Sequence, residues 1–380
     1  MTDKVLQRTW AEIDLDAVRD NYEYIRSQLH DGCRVMAVVK ANAYGHGVEG
    51  VARVYDEAGV EWFAVSNLEE ALQLRRMGLT QRILILSYTP PQEAARLAAH
   101  NITTAVVSME HARALNEQAA EAGVTLTVHV KLDTGMTRVG LSDAEEVAAV
   151  CRLPHLRAEG IFTHFAEADA PDEAYTRQQF DRFCRTIDAV EAQGFHFALR
   201  HCCNSAATMR FPDMHLDLVR PGIILYGCAP DSWMRGMWPL KHAMSLKTTV
   251  SQVKTVPPHT GVSYGRTYTT AADCRIATVP IGYADGYPRL VSNRAEMAVS
   301  GRRVPVIGRV CMDQVMLDVT ALPDVAAGTV VTVFGEGLPV EKLAEWEQTI
   351  PYETLCLVGK RVPRVFLRGG DVIGTHNDIV

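Results

Sequence analysis

The chain has 380 residues, 47% of them hydrophobic and 22% charged, enough for about two domains with sizeable cores and unlike a disordered or fibrous protein. Its 38 basic and 45 acidic residues leave a net charge of −7 with no long run of either sign, which argues against a nucleic-acid binder. No stretch reaches the roughly 18–20 apolar residues of a membrane span. Met1 to Asp20 is charged and amphipathic rather than a signal peptide. Nine scattered cysteines without a Cys-x-x-Cys pair read as reduced thiols of a cytoplasmic protein.

From Ile13 to about Gly227 short β-branched runs alternate with longer helical periods. The runs are Val35–Lys40, Trp62–Ser66, Ile83–Ser87, Thr103–Val107, Thr125–Leu132, Ala158–Thr163, Phe197–Cys202 and Leu216–Val219. Between them, segments such as Leu68–Met77 and Met109–Ala122 carry apolar residues at three- and four-residue spacing. Strands apolar on both faces, each followed by a helix, imply a covered parallel sheet. Eight such units fit a (β/α)₈ barrel better than an open doubly wound sheet, although periodicity alone leaves closure open.

After about Met237 the texture changes. Lys247–Val256, Cys274–Pro280, Met297–Val299, Arg303–Gly308, Val315–Val319 and Thr329–Phe334 read as strands, interrupted by one helical stretch, Val340–Thr349. The expected organisation is an α/β barrel over 1–240 followed by a mostly-β domain over 241–380.

Barrel chemistry sits at the carboxyl ends of the strands. The first end runs Val38-Val39-Lys40-Ala41-Asn42-Ala43-Tyr44-Gly45-His46-Gly47. Lys40 closes an apolar run, where desolvation lowers an amine's pKa and frees it as a nucleophile; the plain alternative is a lysine snorkelling from a strand end. The fifth end, Lys131 to Arg138, gathers two cations and Asp133, which suits a site or a structural ion-pair network. The sixth offers His164. The seventh and eighth, Asn204-Ser205-Ala206-Ala207 and Arg220-Pro221-Gly222-Ile223, stand where barrels often hold phosphate. No P-loop, Gly-x-Gly-x-x-Gly or zinc-type spacing is present. A phosphate site beside a nucleophilic lysine suggests pyridoxal phosphate.

Val39 to Gly47 resembles the cofactor-attachment signature of the alanine racemases. Lys131 to Gly140, Thr163 to Ala166, Arg220 to Gly227, Gly261 to Tyr268, Cys311-Met312-Asp313 and Tyr352-Glu353 resemble the family's other blocks, in order and over nearly the whole chain. The resemblance implies that Lys40 carries pyridoxal phosphate and acts as the base for D-alanine, and that Tyr264 is the base for L-alanine. It implies that His164, backed by Arg220, assists the tyrosine. Arg220 would face the pyridine nitrogen, and Arg138 would meet the phenolic oxygen and the substrate carboxylate. Tyr44, Ser205, Gly222, Ile223 and Tyr352 match phosphate-binding positions, Met312 and Asp313 the substrate side, and Lys131 a lysine often carbamylated. It further implies a homodimer with shared sites, supplying D-alanine for peptidoglycan. Two positions depart from the pattern: Thr137 replaces a common glycine, and Glu167 a small hydroxyl residue. A carboxylate there is expected to raise the pKa of His164. A serine or broad-specificity amino-acid racemase is the nearest rival; Tyr352 favours alanine, because serine racemases of this group tend to carry a smaller residue there. A decarboxylase of this fold lacks its blocks here, and a non-catalytic pyridoxal-phosphate carrier would lack both the β domain and Tyr264.

Overall fold

A computed structural model describes residues 8–379, so the reading of Met1 to Gln7 lies outside the described residues. Two compact units emerge, one of residues 19–43 and 52–240, the other of 8–18, 44–51 and 241–379. The last change from one unit to the other falls at 240/241. Residues 8–18 and 44–51 group with the second unit, contrary to a simple 1–240 barrel domain. For residues 8–18 the reason is pairing: β1 (Thr9–Asp14) runs antiparallel to the later strand Met244–Thr249 and parallel to Arg364–Arg368, while Gly45 O accepts from Arg364 Nε at 2.9 Å.

The first unit is a barrel of eight parallel strands, β2 (Arg34–Val38), β3 (Trp62–Val65), β4 (Arg82–Ile85), β5 (Thr103–Val106), β6 (Leu126–Lys131), β7 (Leu156–Phe162), β8 (Leu199–His201) and β9 (Leu218–Val219). Their order is β8-β7-β6-β5-β4-β3-β2-β9, so the first barrel strand, β2, pairs with the last, β9. Asp217 N donating to Arg200 O (3.2 Å) and Arg220 N to Cys203 O (3.0 Å) draw β9 towards β8 and nearly close the barrel. β3 and β5 are buried at every residue, because helices cover the outer face while side chains fill the inner one. Asn67, Ser108 and Asp143 cap three of those helices by accepting from Glu70 N, His111 N and Glu146 N.

The second unit is mostly β. Its strands are β10 (Met244–Thr249), β11 (Gln252–Val256), β12 (Gly261–Val262), β13 (Tyr268–Thr269), β14 (Cys274–Val279), β15 (Glu296–Val299), β16 (Arg302–Pro305), β17 (Val315–Asp318), β18 (Val330–Phe334), β19 (Arg364–Arg368) and β20 (Asp371–His376). A seven-stranded sheet has the order β16-β15-β18-β10-β1-β19-β20, beside a three-stranded sheet β11-β14-β17 and the hairpin β12–β13. The single run Lys247–Val256 divides at Val250-Ser251 between two sheets. Helices Val340–Glu347 and Pro351–Leu357 lie between β18 and β19, the second opened by a proline at its first position.

One close approach joins two turns of this unit. Tyr283 N and Ala284 N each donate, at 3.1 Å, to the carbonyls of Cys311 and Met312. A Cβ on Gly282 would lie 2.3 Å and 2.4 Å from those two oxygens. Gly282→Ala is therefore expected to destabilise the protein by about 1–3 kcal/mol in denaturant unfolding, since backbone atoms cannot step aside cheaply. An unchanged midpoint would show that this turn yields.

Candidate active site

A cavity of ≈290 Å³ in the barrel is lined by Lys40, Ser66, Leu86, Ser87, Lys131, Arg138, Val139, Phe162, His164 and Arg220. Each is at or just past the carboxyl end of β2, β3, β4, β6, β7 or β9, the end where barrel loops build sites. Five of the residues singled out from sequence thus meet around one space.

Lys40 opens an unusual turn. Ala41, Asn42, Ala43 and Tyr44 all have φ between 52° and 54°. Left-handed backbone costs a non-glycine residue about 1–2 kcal/mol, so four in succession persist only if held. Glu70 does part of the holding: its carboxylate accepts from Ala41 N and Ser66 N, both at 2.7 Å. The sequence reading missed Glu70. Its signal was local, an acidic residue three places after the cap Asn67.

Arg220 is buried and donates to His201 Nδ1 (2.7 Å), Thr163 O (2.8 Å), Cys202 O (3.0 Å) and His164 Nδ1 (3.4 Å). Burial lowers its pKa to about 10. Lys131 is 4% exposed, its Nζ has no hydrogen-bond partner and lies 4.9 Å from the Phe162 ring centre. Burial first, then Arg220 and Arg138, push the Lys131 amine well below its ordinary value. Gln179, buried on the helix Ala174–Glu191, accepts from Ala166 N (2.9 Å) and donates to Thr134 Oγ1 (3.3 Å) and His164 O (3.4 Å). It anchors the two loops that carry Arg138 and His164. Gly222 N donates to Ser205 Oγ at 2.8 Å, joining the loops after β8 and β9.

His164 departs from expectation. Burial pushes it well below the ordinary value of 6.5, with Arg220, Lys131, Arg138 and Lys40 adding to the push. Glu167 is exposed and does not figure among the groups acting on it, so the expected upward shift is not found. The cations of the cavity govern this ring.

In the second unit Tyr44 and Tyr352 lie with ring centres 6.1 Å apart. Tyr264 and Met312 are 69% and 53% exposed. Asp313 is engaged by Arg361 Nη2 at 2.6 Å, and Arg361 also grips buried Asp285 at 2.8 Å and 3.1 Å. The carboxylate of Asp313 therefore serves the loop that carries Met312.

Comparison with known proteins identifies the family. Residues 13–230 match the model of the alanine racemase N-terminal domain, and 243–366 that of the C-terminal domain. The chain is 48% identical over 364 residues to the alanine racemase of Desulforamulus reducens, covering 94% of this chain and 98% of that one. The chain belongs to the alanine racemase family. Among solved structures, the alanine racemase of Clostridium difficile superposes with a TM-score of 0.95 at 38% identity, covering 98% of this chain and 99% of that one. That of Bacillus anthracis with bound L-Ala-P gives 0.93 at 37%, covering 98% of each. The protein is thus an isomerase with the alanine racemase fold, and the serine-racemase, decarboxylase and carrier readings recede.

Three histidines give the protein a testable acid sensitivity. His129, His164 and His201 are all lowered from 6.5, chiefly by burial. With folded values below the unfolded one, the unfolded chain binds more protons as pH falls through 6.5. Stability is full above that pH and declines below it. Urea midpoints are expected to fall between about pH 7.5 and 5; a flat or rising midpoint would contradict neutral buried rings.

Proposed function

We propose that the protein interconverts L- and D-alanine with pyridoxal phosphate held on Lys40, by two bases on opposite faces of the substrate. The observation that carries the reading is the convergence of Lys40, Arg138, His164 and Arg220 on one barrel cavity. The residues present suit the cofactor. An amine stands beside fixed cations for its anionic groups, and Ser205, whose Oγ accepts from Gly222 N, places a hydroxyl after the last two strands. When bound, pyridoxal phosphate supplies an electron sink that makes the α-proton of alanine removable.

The chain's own groups do the rest. Lys40 Nζ removes or returns the proton on the D side, Tyr264 Oη on the L side. Arg138 receives the substrate carboxylate and the cofactor's phenolic oxygen, and Met312 borders the carboxylate side, held in place by Asp313. Tyr44, Ser205, Gly222, Ile223 and Tyr352 hold the phosphate. Arg220 would face the ring nitrogen of the bound cofactor and, because a guanidinium keeps its own proton, would not protonate it, which would weaken the electron sink. That limits side reactions. His164 relays between Arg220 and Tyr264.

A tyrosine exposed to water is a poor base near neutral pH. Tyr264 is therefore assigned, with Met312, to the site of a second copy, making a homodimer with shared sites. We also propose that Lys131 is carbamylated. Its buried, partnerless and weakly basic amine suits reaction with carbon dioxide, and the product would give Arg138 an anion. Growth in ¹³C-bicarbonate followed by ¹³C NMR is expected to show one carbamate carbon that Lys131→Ala lacks; its absence from the native protein would refute the modification. No described helix is long and apolar enough to cross a membrane. A cytoplasmic enzyme supplying D-alanine for peptidoglycan is the proposed setting.

The test is purified protein with pyridoxal phosphate and L-alanine, L-serine in parallel, followed by chiral chromatography. D-alanine formation well ahead of D-serine is expected. Serine turned over faster than alanine would overturn the substrate assignment.

A further inference from the structure

Barrels of this class normally fill their interior with layers of branched aliphatic side chains. This barrel threads a polar file through it. Arg82, which opens β4, pairs with Glu159 on β7 at 2.8 Å. Glu159 Oε2 faces His129 Nε2 on β6 at 3.9 Å. His129 Nδ1 meets His201 Nε2 on β8 at 2.8 Å, and His201 Nδ1 meets Arg220 Nη1 at 2.7 Å. His129 and His201 are completely buried.

Local sequence is fitted to this file. The ladder between β6 and β7 shifts register so that Val128 pairs with Ala158 and His129 with Gly160, which leaves Glu159 as the extra residue of a bulge. Bulges re-aim side chains. A Cβ on Gly160 would stand 2.8 Å from three atoms of the His129 ring, so the glycine makes room for that imidazole. Phe162 stacks on His201 with ring centres 5.0 Å apart and planes 5° from parallel, fixing the second ring.

The polarity of the file follows from donor chemistry. Arginine only donates. His201 Nδ1 must then accept, its proton lies on Nε2, and that N–H donates to His129 Nδ1. The His129 proton lies in turn on Nε2, aimed at Glu159. His129 Nε2 and Glu159 Oε2 are buried with no hydrogen-bond partner of their own, so each is the other's natural complement. His129 and then Arg82 hold the Glu159 carboxyl down to about 2, against the effect of burial, so it is ionised. The hydrogen-bond acceptors around Arg220, two carbonyls and two imidazoles, are neutral.

We propose that Glu159 and His129 are positioning residues for the racemase reaction: through His201 they orient Arg220 from the far end of the barrel. The effect on reaction rests on the role of Arg220 given above, whereas the polarity of the file does not.

The first readout is ¹⁵N NMR of histidine-labelled protein without cofactor. Both His129 and His201 are expected as neutral rings protonated at Nε2. A proton on Nδ1 of either ring, or on both nitrogens, overturns the file whether or not the protein racemises alanine. The second readout is Glu159→Gln in the cofactor-loaded enzyme. Its kcat is expected to fall about tenfold with KM within about twofold, and Glu159→Asp to recover part of the loss. An unchanged kcat in a folded Glu159→Gln protein overturns the link to Arg220. Should that variant not fold, the native spectrum decides.

Discussion

Lys40→Ala is expected to lower kcat/KM for alanine by about 10⁴-fold or more in both directions, because the lysine holds the cofactor covalently and also acts as a base. The two losses separate experimentally. Gel filtration with pyridoxal phosphate should strip the cofactor from the variant and not from the native protein, while chiral chromatography follows racemisation. Folding should be nearly unaffected, because Lys40 is only partly buried and the turn after it is held through backbone groups by Glu70. Residual activity within tenfold of native would remove Lys40 from the chemistry.

Tyr264→Phe is expected to cost about 10²–10⁴-fold in racemisation, the usual weight of a general base. The loss should be directional: exchange of the α-proton of D-alanine with solvent continues through Lys40, while that of L-alanine collapses. Equal loss of both exchanges would mean that Tyr264 shapes the site without serving one face. Its 69% exposure in the chain makes the second copy part of the argument. Mixing Lys40→Ala with Tyr264→Phe under subunit exchange should restore about a quarter of native activity, since half of the dimers then hold one intact site. A mixture that stays inactive would place both bases in one chain.

Much of the fold was legible because the eight barrel strands are short, buried on both faces and separated by helical periods. β1, β19 and β20 were not legible. Their sheet joins residues 9–14 to 244–249 and 364–368, and no local pattern reports such distant pairing. The lining of the cavity could be read from strand ends and family blocks, as Lys40, Lys131, Arg138, His164 and Arg220 show. What holds that lining could not. Glu70 left a local signal beside its cap, but Gln179, Asp285 and the Glu159–His129–His201 file act through partners 13 to 76 residues away, and each looks ordinary in its own segment. Thr137, noted as a departure from a common glycine, takes φ +56°, and Asp133 Oδ1 accepts from its N–H at 3.1 Å. The protein tolerates there a strain that glycine would avoid.

The central claim is two bases on opposite faces. The most direct test is early-time turnover of L-alanine in deuterated water, with α-deuterium measured separately in product and in recovered substrate. D-alanine fully deuterated at Cα, beside recovered L-alanine still largely protonated, is the predicted result. D-alanine that keeps the original proton would mean a single base serving both faces, and the assignment of Lys40 and Tyr264 would fail.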